Sequence, residues 1–247
     1  MSILTYPLGF IGGGVLEPFY NGVVENSMRF DGTAHLLRTP QQRGTSLKAF
    51  TYSFWYKMAD LGSQKVVLSQ YDSGTDVGSF TFQGDDTLDF IHWTGSYAWQ
   101  VKPTQVFRDP SAWVHIVIVH DSAQETAVNR QRFYINGKKV TVYTTQGNSS
   151  QNFESATLNT AQRHSIGNRF DGSADNKPLE GHLADFYFID GHALGSENFG
   201  EFKNRVWVPK TYTGPPPLIT DSSPSAHSVA NYQYSSQPPV SLDYQDN

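Results

Sequence analysis

The sequence predicts an all-β protein whose antiparallel strands fold as a sandwich or barrel. Three observations lead there. Apolar and aromatic residues alternate with period two over several short stretches. An Asn-Gly pair at 136–137 stands between two of them, and Asn-Gly accepts the positive φ angles of a type I′ hairpin turn. The 247 residues are 14% aromatic but only 17% charged, with 21 glycines and 13 prolines, a composition suited to short strands and tight turns. One all-β domain of this length buries a full-sized core without disulfide or metal staples.

In chain order, residues 1–26 hold five glycines, two prolines and no Lys or Arg, and read as an extended arm. Its apolar side chains, among them Tyr6, Phe10, Phe19 and Tyr20, gain little alone, so a partner surface or the body itself would order them. The body, 27–214, begins with strands expected at 27–30 and 36–38. Residues 50–58 set Phe50, Tyr52, Phe54, Tyr56 and Met58 on one face, with Thr51, Ser53, Trp55 and Lys57 opposite. Strands are expected next at 66–69, 79–82 and 87–93, the last leading to a Gly95-Ser96 turn. Residues 113–119 are apolar on both faces apart from His115, as suits a central strand covered on both sides. Residues 132–135 and 138–143 flank Asn136-Gly137 as a hairpin, and 165–167 and 183–189 complete the strands. Residues 196–202 are expected as one short helix capped by Ser196. A Pro- and Ser-rich segment, 215–247, follows; residues 211–247 carry six prolines, seven serines, three aspartates and no Lys or Arg. The repeat of Arg29-Phe30-Asp31-Gly32 at 169–172 is too short to mark a duplication.

Several function classes fall away. With no cysteine there is no disulfide framework, cysteine zinc site or thiol chemistry. The net charge is −5, and the densest basic stretches are Lys138-Lys139 and Arg130 with Arg132, too sparse for nucleic acid. No apolar run approaches the roughly 20 residues of a membrane span, so no membrane insertion is expected. No Lys or Arg precedes Arg29, and Gly12-Gly13-Gly14 interrupts the apolar start, so no signal peptide is expected. Gly-x-Ser-x-Gly, His-Glu-x-x-His and phosphate-binding glycine loops are lacking. What remains is binding. Trp93, Tyr97 and Trp99 crowd around the Gly95-Ser96 turn, and aromatic faces near amides and carboxylates suit sugar rings and their hydroxyls. Packing over the core is the competing role for each.

A run of motifs carries a resemblance. Ser27-Met28-Arg29-Phe30-Asp31-Gly32 is followed by Phe50-Thr51-Tyr52-Ser53-Phe54-Trp55, Trp113-Val114-His115-Ile116-Val117 and Phe133-Tyr134-Ile135-Asn136-Gly137. Then come His164-Ser165-Ile166-Gly167, Phe188-Ile189-Asp190-Gly191, Ala193-Leu194, Phe199-Gly200-Glu201 and Trp207-Val208-Pro209-Lys210. Taken in order, over about 27–214, this resembles the laminin-G-like, concanavalin A-like jelly roll, in the form found in virion proteins of marine bacteriophages.

The resemblance implies a two-sheet antiparallel jelly-roll sandwich acting in a virion, made in the host cytoplasm. Its partners would be other virion proteins and sister subunits, held through the terminal segments, and host-surface glycan, bound as a fibre or appendage component. A capsid decoration or tail-assembly protein is the alternative, and a surface-glycan hydrolase a further one. The glucanases of this architecture carry Glu-x-Asp-x-x-Glu on one strand face, and none of the seven glutamates here lies in such a pattern, so no catalysis is expected. Laminin-G-like domains often hold Ca²⁺ at one rim, which points to Asp72 and Asp76, with Asp85-Asp86 and Asp171 with Asp175 behind them. All of these residues are also ordinary turn formers. The family's opening strand is missing ahead of Arg29. Asp221-Ser222-Ser223 and His227-Ser228-Val229 resemble it, so the tail is expected to complete a sheet of its own sandwich or of a neighbour's.

Overall fold

Strands that alternate in polarity need a second layer to cover their apolar faces, and the computed structural model supplies two packed sheets. The structure describes residues 23–24, 27–33, 35–38, 43–72, 76–169, 177–215, 219–220 and 243–245. Tyr6, Phe10, Phe19, Tyr20 and residues 221–229 lie outside the described residues.

The strands are β1 (Met28–Asp31), β2 (His35–Arg38), β3 (Ala49–Met58), β4 (Lys65–Asp72), β5 (Asp76–Phe82) and β6 (Leu88–Thr94). They continue with β7 (Tyr97–Pro103), β8 (Val114–Asp121), β9 (Gln131–Ile135), β10 (Lys138–Lys139), β11 (Tyr143–Gly147) and β12 (Arg163–Ile166). The last are β13 (Glu180–Asp190), β14 (Gly200–Lys203), β15 (Val206–Pro209), β16 (Ile219–Thr220) and β17 (Asp243–Gln245). One sheet runs β1-β13-β3-β8-β9-β10, with β16 also on β13; the other runs β11-β7-β6-β5-β4-β12-β2-β17. A β14–β15 hairpin stands apart. Every pairing between these strands is antiparallel.

The core lies between the sheets. Phe50, Tyr52, Phe54, Tyr56 and Met58 of β3 meet Phe80, Phe82, Leu88, Phe90 and Trp99 of the facing sheet. Central strand β8 sends Ile116 and Ile118 inward and Val117 and Val119 outward. The outward pair is covered by chain that follows β13: Phe199 and Tyr212 stack at 5.0 Å, with Ala193 and Leu194 beside them. Thr51 Oγ1 fixes this crossing, donating to His192 O and accepting from Leu194 N. The outer side of the first sheet is thereby occupied.

The Asn136-Gly137 hairpin forms with φ of 46° and 78°. It holds only two residue pairs, after which the chain crosses to the other sheet as β11, so 138–143 is not one strand. The helix expected at 196–202 is a single 3₁₀ turn, Ser196–Asn198, preceded by Gly195 as cap, and Gly200 already belongs to β14. The helix stops there because the chain from Gly200 pairs with β15, and Gly200 lies against the Trp207 ring, where a Cβ would overlap it.

At the bulge in β13, Asp185 and Phe186 together face Phe54, and Asp185 has φ 51°. Burial pushes the Asp185 carboxyl up to about 6, with a hydrogen bond from Tyr187 acting against the rise. A carboxyl raised in the folded state lowers stability as pH climbs from its unfolded value through the folded one. Asp185→Asn should therefore raise stability at pH 8 by about 1–3 kcal/mol, with no gain left at pH 4. Equal gains at both pH values in denaturant titrations would refute this.

Candidate functional site

With one outer face occupied, a ligand can approach the other sheet at the β6–β7 end of its outer face, where Tyr97 is exposed and Ile91, Trp93 and Gln100 are half-buried. β6 buries Leu88 and Phe90 in the core, so Asp89, Ile91 and Trp93 point outward. β7 buries Trp99 and Val101, which turns Gln100 and Lys102 outward. Ile91 stands opposite Gln100, and Trp93 opposite Tyr97. The Trp93 and Tyr97 rings meet edge to face at 4.8 Å and 84°. From Trp93 to Asp89 the strip runs about 13 Å at the rise of an antiparallel strand.

Tyr97 and Trp99 are two residues apart and would share a face in a regular strand. They do not, because the register shifts: His92 pairs with Trp99 and Trp93 with Tyr97, leaving Ala98 as the extra residue of a bulge. Tyr97 is 53% exposed and Trp99 only 1%. Trp99 is therefore corrected from a ligand-binding residue to a core residue. It stacks between His120 at 4.5 Å and His92 at 4.4 Å, with Phe153 edge-on. Trp93, half-buried, and Tyr97 remain at the surface.

Beside them lies a polar network. Gln100 Nε2 donates to Asp89 Oδ2 at 2.9 Å, Gln83 Nε2 donates to the same oxygen at 3.4 Å, and Gln64 Nε2 donates to Gln83 Oε1. Asp89 is 6% exposed, and its Oδ1 has no hydrogen-bond partner. Burial raises its pKa above the ordinary carboxylate value, the Gln100 hydrogen bond acting against it. Lys102 Nζ reaches Asp85 Oδ2 at 2.9 Å. Hydrogen bonds from Thr87 first, then from Lys102, hold the Asp85 carboxyl at about 2. The strip thus sets an aromatic pair, the half-buried Gln100 amide and the Lys102–Asp85 ion pair side by side, with the Asp89 carboxyl buried among them. Further across the sheet, Ser79, Ser69 and Ser165 lie in one row, and Ser69 and Ser165 both donate to Asn168 O.

Asp72 and Asp76 are register partners at the end of the β4–β5 hairpin. Asp76 is half-buried, and the Asp72 side chain and residues 73–75 lie outside the described residues. Ca²⁺ takes six to eight oxygens, whereas no group of three His, Asp or Glu able to hold a metal occurs among the described residues. The described donors do not by themselves make a calcium cage. Asp86, behind this pair as a metal candidate, accepts from Gly62 N and Arg108 Nε. Among the described residues, no helix is long and apolar enough to cross a membrane.

Asp89, Gln100, Gln83 and Lys102 were missed in the sequence. Asp89 carried a usable signal, a charged residue alternating with Leu88 and Phe90 in a strand. Gln83 lies beyond the end of β5, and no periodicity points to it.

Two antiparallel sheets packed face to face, one of them covered on its outer side, define an antiparallel jelly-roll β-sandwich. Residues 31–197 match the concanavalin A-like lectin/glucanases superfamily, in its Laminin_G_3 family, and the chain belongs to it. Among solved structures it is similar to the heptameric SAP-like pentraxin of Limulus polyphemus, with 18% identity, a TM-score of 0.50, and coverage of 69% of this chain and 77% of that one. It is also similar to domain 4 of AbnA, an extracellular arabinanase of Geobacillus stearothermophilus, in complex with arabinotriose. That match has 17% identity, a TM-score of 0.51, and coverage of 69% and 73%. At such identities these likenesses concern the fold alone. No curated protein matches the chain.

Proposed function

We propose that this protein is a glycan-binding module that acts without catalysis, through the outer face of its eight-stranded sheet. The observation carrying the reading is the Trp93–Tyr97 pair beside Gln100, Asp89 and Lys102. A sugar ring has an apolar face for Trp93 and Tyr97, and hydroxyls for the Gln100 amide and the Lys102–Asp85 pair. The AbnA domain, a sandwich of the same fold, was solved with an oligosaccharide, which agrees with this reading.

The finer assignment is a bacteriophage virion component, a fibre or appendage whose sandwich engages host-surface glycan. It is supported by the ordered motifs ending in Phe188-Ile189-Asp190-Gly191, Phe199-Gly200-Glu201 and Trp207-Val208-Pro209-Lys210. Binding to bacterial surface polysaccharides, followed by glycan array and fluorescence titration, tests the activity. Trp93→Ala and Tyr97→Ala should each weaken binding roughly tenfold, about 1.4 kcal/mol, with the thermal midpoint lowered by only a few degrees. Absence of binding to any bacterial polysaccharide would overturn the reading. Binding that disappears in chelator, and also in Asp76→Ala, would assign a metal to the Asp72–Asp76 turn.

A further inference from the structure

The C-terminal segment closes the same edge of both sheets. β1 pairs with Glu180–Leu183 of β13, and β16 takes over that edge at Tyr187 and Phe188. β17 covers the free edge of β2, with Asp243 opposite Leu37, Tyr244 opposite Leu36 and Gln245 opposite His35. Between β16 and β17 stand 22 residues, 221–242.

That length exceeds what the crossing requires. Packed sheets lie about 10 Å apart, and β1 and β2 pass from one to the other through residues 32–34 alone. Even offset by the whole of β13, 11 residues, the gap needs only about half of the 22 at roughly 3.4 Å per residue. Fully extended, the connection would span about 75 Å, enough to reach a neighbouring molecule.

We propose that β2 is an acceptor edge for the C-terminal strand of a second copy of this chain, so that tails exchange between subunits held close together. The three register pairs that close β2 within one chain are reproduced unchanged between chains, so exchange sacrifices no backbone bond. A tether of this kind gives the intrachain tail an effective concentration near the millimolar range. The tail therefore closes its own sandwich in dilute solution and a neighbour's when copies are packed at higher local concentration.

The absence of cysteine makes the test clean. Leu37→Cys and Asp243→Cys are made in separate full-length chains, mixed at about 1 mM, the effective concentration of the tether, and oxidised. Facing residues in an antiparallel pair have Cα atoms about 4.5–5.5 Å apart, within disulfide reach. The expected result is a band at twice the chain mass joining the two variants, in clear excess over Asp243→Cys mixed with a surface Thr104→Cys chain. The double variant, oxidised when dilute, should instead close within one chain. No excess over the Thr104→Cys control would overturn exchange, as would failure of the double variant to close at all. Sedimentation of the unaltered chain supplies a second readout. A dimer at millimolar concentration should disappear when residues 241–247 are deleted, and a monomer at that concentration would refute the proposal.

Discussion

Trp207→Ala should be among the most damaging single substitutions in this protein, costing about 3–5 kcal/mol from the lost ring alone. Trp207 lies on the outer face of the first sheet with Trp55 and Ala184, and is 9% exposed. Its Nε1 donates to His115 Nδ1 at 2.9 Å, and His115 Nε2 lies 2.9 Å from Ser53 Oγ. An indole can only donate, so His115 must be neutral and present Nδ1 as acceptor; its Nε2–H then donates to Ser53. Removing the indole leaves a fully buried imidazole nitrogen unpaired, a further cost of about 1–3 kcal/mol. It also frees the β14–β15 hairpin, since a two-stranded ribbon is marginal by itself in water. A fall of roughly 10 °C or more in the thermal midpoint is expected for a domain of this size. Trp207→Phe keeps most of the packing and loses the hydrogen bond, so its loss should be the smaller.

Gly200 provides an independent check. Its Cβ, if present, would overlap the Trp207 ring. Gly200→Ala should displace the indole and destabilise the protein by itself, yet add little to Trp207→Ala. If the two losses sum in the double variant, Gly200 and Trp207 are not one coupled unit.

This clasp shows what a one-dimensional pattern can carry. The inner face of β3 was legible because five large apolar residues recur strictly at every second position. β8 was legible as a central strand because both of its faces are apolar. The Asn136-Gly137 turn was legible because few other dipeptides tolerate two positive φ angles. The fate of Trp99 was not, because the Ala98 bulge that separates it from Tyr97 depends on pairing with β6 and leaves no local trace. The Ser196 region failed for a related reason: the residues after the cap turn into the β14–β15 hairpin, where Gly200 pairs with Pro209 and lies against the Trp207 ring, contacts that no helical periodicity announces. Half of the proposed strip, Trp93 and Tyr97, followed from aromatic clustering. Asp89, Gln83 and Gln100 needed three strands in register before they met.

Acid should destabilise this protein well above the pH at which ordinary carboxylates titrate. Burial lowers the pKa of His115 and His120 to about 3 and of His92 to about 4, against 6.5 for the free side chain, with His92 a minor further cause for His120. Their surroundings explain why none accepts a proton. His115 is held neutral by Trp207, and His120 lies between the Phe50 and Trp99 rings with Nε2 unpartnered. His92 accepts at Nε2 from Ala156 N. For each, the unfolded chain binds the proton and the folded chain does not, so stability is complete above about pH 6.5 and falls as pH drops toward the folded values. At pH 5 each histidine removes about 2 kcal/mol. Asp185, raised to about 6, works in the opposite sense and returns about 1 kcal/mol between pH 7 and 5. The net slope near pH 5 is then about two protons, or roughly 2.7 kcal/mol per pH unit, a large share of a typical folding free energy. Denaturant titrations at pH 7, 6 and 5 would measure it. His120→Phe keeps a flat ring between Phe50 and Trp99, and should reduce the slope by about one proton whatever it does to stability at neutral pH. A stability profile that is flat from pH 7 to 5 would mean that these three rings become protonated without unfolding, contrary to a dry His92–Trp99–His120 stack.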